Sequence, residues 1–158
     1  MAIVVRVGSP GDTNIVAEMV GDLLNEIMQT VGVQYFSFDL AQTQSRTRQF
    51  IERGIYSVLI AADSTSNRDV GIATLYESHA LYAEGAFGTI PEFYVRPEYR
   101  SQQVGHTLLD AAKTLGRSRG WTRLEVTTPP VPAFDRSLTF YEKNGFGITG
   151  GRKLKFLL

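Results

Sequence analysis

Arg100, Ser101, Gln102, Gln103, Val104, Gly105 and His106 lie where a polar turn runs into a helical pattern. The first backbone N–H groups of a helix lack intrahelical partners. Together with the positive end of the helix dipole, they suit a phosphate anion. Gly105 lets the backbone approach a ligand closely, and Arg100 can reach a phosphate oxygen. From these residues alone, an ordinary turn with a polar cap reads equally well. Glu92 is the second candidate, on a strand that leads into this turn. A carboxylate is costly to bury unpaired, so Glu92 is either solvated or paired with an arginine, or it serves as a general base or amine anchor. Tyr141 sits on a short helix, where an aromatic is ordinarily part-buried packing. His106 reads as a solvent-facing polar residue, and His79 is assigned no role.

These residues need elements to place them. Phe93 and Val95 alternate with Glu92, Tyr94 and Arg96, a strand period of two, until Pro97 stops the ladder. From Val104 the apolar spacing is helical, through Leu108 and Leu115, and Gly120 closes that helix. A strand over 123–128 follows, with Leu124 and Val126 on one side. Strand, turn, helix and strand in succession predict two parallel strands and a right-handed crossover.

Upstream, 3–7 reads as a strand, Asp12 or Thr13 as a helix cap, and Ile15, Met19, Leu23 and Ile27 as one face of a helix to about Gln29. In 31–40, Tyr35, Phe36 and Phe38 are core or pocket lining. A second helix is expected over 41–53, a strand over 56–62, a hairpin loop over 63–69, and strands over 70–76 and 88–95. Downstream come a Pro-rich loop, a helix over 136–143, and a last pair of strands over 146–148 and 153–158. The expected order is β-α-α-β-β-β-α-β-α-β-β, an α/β fold with a mixed sheet flanked by helices, in one domain over 1–158.

Composition narrows the functions. Sixteen basic and 16 acidic residues give no net charge, which argues against a nucleic-acid-binding surface. With no cysteine and 2 histidines, disulfides, thiolate chemistry and a histidine-rich metal site are not expected. No apolar run approaches the ~18 residues of a membrane span, and Arg6 interrupts the first apolar stretch too early for a signal peptide. The expectation is a soluble cytoplasmic protein.

The stretch VRPEYRSQQVGHTLL resembles the acyl-CoA-binding motif of the GNAT N-acetyltransferase superfamily, Gln/Arg-x-x-Gly-x-Gly/Ala. Arg100 matches its first position and Gly105 its last, while Gln103 stands in place of the middle glycine. FYEKNGF, residues 140–146, is similar to the family's tyrosine-bearing helix end and the Gly-Phe after it. The resemblance covers nearly the whole chain in order, and it implies the family's splayed central sheet. It implies that the turn from Arg100 to His106 wraps the pyrophosphate of acetyl-CoA, used as co-substrate without a metal. It implies that the coenzyme lies between the strands ending at Val95 and Val126, with the N–H of Val95 or Arg96 facing the thioester carbonyl. Tyr141 then protonates the departing sulfur. Glu-Phe-Tyr-Val, 92–95, resembles a strand of polyamine and aminoglycoside acetyltransferases that carries an acid, which makes Glu92 the acceptor of the amine proton. The Asn that many members carry seven residues before the tyrosine is Phe134 here, leaving the pantetheine arm to strand N–H groups near Val126 and to Ser137.

The reading is an acetyl-CoA-dependent N-acetyltransferase acting by direct attack of a primary amine. Gln103 and Phe134 motivate an alternative, an acyl-CoA-binding regulatory module without turnover, against which the retention of Glu92 and Tyr141 argues. The acceptor stays open among polyamines, aminoglycosides, amino acids and peptide amines. A homodimer through edge strands is open as well.

Overall fold

A computed structural model describes all residues from Met1 to Leu158. Cα proximity divides them into two units, Met1–Thr127 and Thr128–Leu158.

The first unit is built on a sheet. β1 (Ile3–Val7) pairs with β2 (Ser57–Asp63), and β2 with β3 (Arg68–Ala80), all antiparallel. The β2–β3 turn is tighter than the expected loop, because the Asp63 carboxylate accepts from the Thr65 N–H and the Ser66 hydroxyl, both at 3.0 Å. β3 is correspondingly longer than its apolar pattern suggested. Between β1 and β2 come α1 (Thr13–Val31) and α2 (Leu40–Glu52). Gly32 ends α1 in the left-handed conformation at φ 76°, and Asp39 caps α2 by accepting from the Gln42 N–H at 2.8 Å. Val16 and Met19 of α1 meet Val58, Ile60, Ile72 and Tyr94 of the sheet in a buried core, with Ile51 of α2 packed beside it. α3 (Val104–Ser118) covers the opposite face through Val104, Leu108, Leu109 and Ala112. It lies so close that a Cβ on Gly71 would come 3.1 Å from Leu108.

The expected strand over 88–95 is two strands, β4 (Gly85–Ile90) and β5 (Phe93–Val95). Both pair antiparallel with β3. Parallel pairing with β6 (Leu124–Val126) is made by β4 alone, Gly88 to Leu124 through Ile90 to Val126. The parallel partner of β6 is therefore upstream of where the sequence pattern put it. Pro91, which has no N–H to give a ladder, sits at the break.

The second unit holds α4 (Asp135–Lys143), ended at Asn144, whose N–H bonds the Phe140 and Tyr141 carbonyls. The expected last strands over 146–148 and 153–158 do not form ladders, and Leu154, Phe156, Leu157 and Leu158 stand exposed. Alternation in Lys153-Leu154-Lys155-Phe156 gives strand propensity, but a strand exists only with a partner.

Candidate active site

The break at Pro91 decides where Glu92 points. From the Tyr76–Thr89 pair to the Thr74–Glu92 pair, β3 advances two residues while its partner advances three. That is a β-bulge, and it flips the alternation. On β4, Gly88 faces α3: a Cβ there would fall 2.4 Å from the Trp121 ring. Without the bulge Glu92, four residues on, would face α3 too. With it, Glu92 shares a face with Tyr94 and Ile72, the face covered by α1 and α2.

On that face Glu92 is held from three directions. Its N–H donates to the Thr74 hydroxyl at 3.1 Å, and its carbonyl accepts from the Thr74 N–H at 2.9 Å. The Thr74 hydroxyl donates to Oε2 in a short contact. The Tyr56 hydroxyl is shared between Oε1 and Oε2, at 3.2 and 3.3 Å. Tyr56 is itself wedged between Phe50, ring centroids 5.0 Å apart, and Tyr76, stacked at 6.2 Å. Burial pushes the Glu92 carboxyl above the usual carboxylate range, and the Thr74 and Tyr56 hydrogen bonds restrain that rise. Burial first, and then Glu92, hold the Tyr56 phenol above its usual range, so it stays a donor. No arginine pairs with Glu92; a hydroxyl pair takes that place.

The β3–β5 register also sorts the backbone. The pairs 74/92 and 70/96 are hydrogen-bonded, the Arg96 N–H reaching the Val70 carbonyl at 2.9 Å. The intervening pairs 73/93 and 71/95 are therefore the non-bonded ones, whose N–H groups point away from β3. Of the two expected oxyanion donors, Arg96 is committed to β3 and Val95 directs its N–H to the other edge, where β5 has left β6.

Beyond Val95 a single 3-10 turn, Pro97–Tyr99, leads to the start of α3. Ser101 and Gln103 both have left-handed backbones, at φ 59° and 69°. Gln103 thus adopts the conformation that a glycine takes freely and other residues take at a cost. It is the N-terminal cap of α3, makes no side-chain cap bond, and its carbonyl accepts the first helical N–H, from Thr107 at 3.0 Å. The N–H groups of Val104, Gly105 and His106 precede that first bond. Arg100 points elsewhere than the sequence suggested. Its guanidinium makes a bidentate pair with Glu26 of α1 at 2.7 and 3.1 Å, donates to the Val95 carbonyl at 2.8 Å, and lies over the Tyr94 ring. Gln102 donates to the Glu98 carbonyl at 3.0 Å, and His106 lies 3.2 Å from Asp110 at the surface.

Within the second unit, Tyr141 is buried on α4 with edge contacts to Phe140 and Phe146, ring centroids 5.3 and 5.6 Å away. Burial raises its phenol well above the usual value, so the proton stays on. Ser137 lies in the first turn of the same helix, its N–H on the Phe134 carbonyl at 3.0 Å.

Glu92, Val95 and the 100–106 turn are thus brought together on one strand and its continuation. Sequence reasoning missed Tyr56, Thr74 and Glu26. A lone Thr74 inside the apolar run of β3 was a signal, as was the four-residue spacing of Glu18, Asp22 and Glu26 on α1. Those carboxylates face Arg96 and Arg100, with Glu18 and Asp22 at 3.8 and 3.7 Å from Arg96. No group of His, Cys, Asp and Glu is arranged to hold a metal ion.

A family model, the acetyltransferase (GNAT) domain, matches residues 54–148. No curated protein sequence matches the chain. Among solved structures, a probable acetyltransferase superposes with a TM-score of 0.77 at 22% identity, covering 100% of this chain and 97% of its own. An aminoglycoside acetyltransferase from an uncultured soil metagenomic sample gives 0.76 at 17%, covering 99% and 96%. The ribosomal-protein-alanine N-acetyltransferase of Brucella melitensis biovar Abortus 2308 gives 0.73 at 16%, covering 99% and 100%. At these identities the likeness is one of fold.

Proposed function

Since the chain belongs to the GNAT acetyltransferase family, we propose that it moves the acetyl group of acetyl-CoA to a primary amine by direct attack. The observation that carries this reading is Glu92, turned by the bulge onto the α1/α2 face and held there by Tyr56 and Thr74. The matched stretch, 54–148, includes residues of both units, which supports reading the chain as one domain.

The residues fit the coenzyme in two respects. The N–H groups at the start of α3, which precede its first intrahelical bond, suit a pyrophosphate, and the freed edge of β5 suits the amides of an extended arm. Acetyl-CoA supplies an acetyl group already activated as a thioester. Glu92 accepts the proton that the attacking ammonium loses. The Val95 N–H donates to the carbonyl oxygen as it gains negative charge. Tyr141, assigned by family resemblance, gives its proton to the sulfur as the carbon–sulfur bond breaks. Atoms balance: one N–C bond forms and one C–S bond breaks, and of the two protons the ammonium nitrogen loses, one leaves through Glu92 to solvent and the other makes good the proton that Tyr141 gives to the sulfur. The carboxylate supports an amine acceptor, since an amine near neutrality is mostly protonated, with a reference value of ~10.4 for lysine. The solved relatives include enzymes for aminoglycosides, a protein alanine and glucosamine-6-phosphate, all amines.

The test is the pH dependence of kcat/KM for wild type and Glu92→Gln. The carboxylate form is the base, so wild-type kcat/KM falls as pH drops through the raised Glu92 value, above the usual carboxylate range. Glu92→Gln is expected to lose about 10²-fold or more, to lack that acid limb, and to recover partly at high pH as solvent supplies free amine. An acid limb with the wild-type midpoint that survives in Glu92→Gln contradicts the base assignment.

A further inference from the structure

We infer that Tyr56 and Thr74 are positioning residues that set the proton affinity of Glu92, and so set the pH below which transfer stops. This rests on the reading of Glu92 as the base, and it adds two residues that act through it.

Thr74 makes three bonds to Glu92 with two groups: its N–H holds the Glu92 carbonyl, its hydroxyl accepts the Glu92 N–H, and the same hydroxyl donates to Oε2. That oxygen accepts from the Glu92 N–H, and its own hydrogen goes to Oε2, a far nearer acceptor than the Glu92 carbonyl at 3.4 Å. Tyr56 supplies the second donor, and its ring is fixed by Phe50 and Tyr76. Oε2 takes both donors, whereas Oε1 takes only the shared contact from Tyr56. Oε1 is therefore the oxygen with lone pairs left for a substrate proton. Hydrogen bonds donated to a carboxylate favour its charged form, while burial opposes it. Here burial is the larger influence, with the two hydroxyls acting against it.

Other titratable groups near this face are otherwise engaged. Glu18, Asp22 and Glu26 of α1 face Arg96 and Arg100. Arg48 and Glu52 of α2 pair with each other in solvent. Tyr76 of β3 stacks on Tyr56, and Tyr94 of β5 lies under Arg100. The two hydroxyls are the polar side chains in contact with the carboxylate.

The experiment is a carbon-13 NMR titration of glutamate-labelled protein, with the Glu92 carboxyl identified by its absence from Glu92→Gln. It is run on wild type, Tyr56→Phe and Thr74→Val, and needs no acceptor. Each variant keeps the side-chain shape and removes one donor to the carboxylate, Thr74→Val also removing the acceptor of the Glu92 N–H, so each should raise the Glu92 midpoint by roughly one pH unit. The acid limb of kcat/KM, measured with the fastest amine of a panel of polyamines, aminoglycosides and amino acids, should move up by the same amount. A residue that only packs would change Tm and leave both midpoints in place. Unmoved midpoints in both variants overturn the inference, and so does a shifted NMR midpoint that the kinetic limb fails to follow. Failure of the base reading is seen separately, as an acid limb with the wild-type midpoint that persists in Glu92→Gln. Thr74→Val keeps the test alive if Tyr56→Phe does not fold.

Discussion

Burial lifts the proton affinity of Glu92 above that of a solvated carboxylate. Folding therefore favours the neutral acid. Its contribution to stability is present in full below the unfolded value and is lost as pH rises through the raised folded value. Near neutrality the charged form works against the fold that holds it. Glu92→Gln should accordingly melt higher than wild type at pH 8, with the gap narrowing toward pH 4; a lower Tm at pH 8 would mean that the charge stabilises its site. Tyr141 is the opposite case, a buried phenol that keeps its proton throughout this range. Tyr141→Phe preserves the ring contacts to Phe140 and Phe146. It is expected to lower kcat by about 10² while leaving acetyl-CoA affinity nearly unchanged in calorimetry. An unchanged kcat would reduce Tyr141 to packing. Glu92 and Tyr141 were visible in the sequence as residues of the right type beside the right motifs. Tyr56 and Thr74 were not, because their role depends on contacts with Glu92, which lies 36 and 18 residues away along the chain.

At the scale of elements, the bulge between β4 and β5 makes the site. It turns Glu92 away from α3 and frees the Val95 edge from β6 in one irregularity. Period-two alternation in 92–95 gave the pairing of Glu92 with Tyr94 on one face correctly, since that stretch lies downstream of the bulge. It did not reveal which helices that face meets, because a single extra residue reverses the answer. Pro91 was the local mark of the break. The strands expected near the C-terminus fail for a related reason: propensity is local, and pairing is not. Close packing on the α3 side explains two glycines. Gly88 lies against Trp121, whose indole N–H is held by Glu77 at 2.7 Å, and Gly116 of α3 approaches the same ring. Gly88→Ala would place a methyl group 2.4 Å from that ring. The ring is anchored at its nitrogen, so β4 must shift, at a cost of about 1–3 kcal/mol. The expected result is a Tm several degrees below wild type; an unchanged Tm would mean that Trp121 moves freely.

For the molecule as a whole, the balance of 16 positive and 16 negative charges leaves local pairs to do the electrostatic work. The acidic stripe of α1 takes up Arg96 and Arg100, so the pyrophosphate site proposed at the neighbouring turn would rest on backbone N–H groups rather than on a free guanidinium. No helix is long and apolar enough to cross a membrane. Apart from the division of the 88–95 strand into β4 and β5, the order of elements through α4 was legible from periodicity and turn residues, and the family from two short motifs. The acceptor was not legible, because no motif in the sequence marks the surface that would select it. Transfer itself is the claim on which the rest depends. Purified protein is incubated with acetyl-CoA and a panel of polyamines, aminoglycosides, amino acids and peptides. Free thiol and acetylated amine are then quantified together, the latter by mass spectrometry. The account predicts that at least one amine yields the two products in equal amounts, and that Glu92→Gln suppresses both. Protein that binds acetyl-CoA in calorimetry, yet releases no thiol above the amine-free background with any amine, would contradict it.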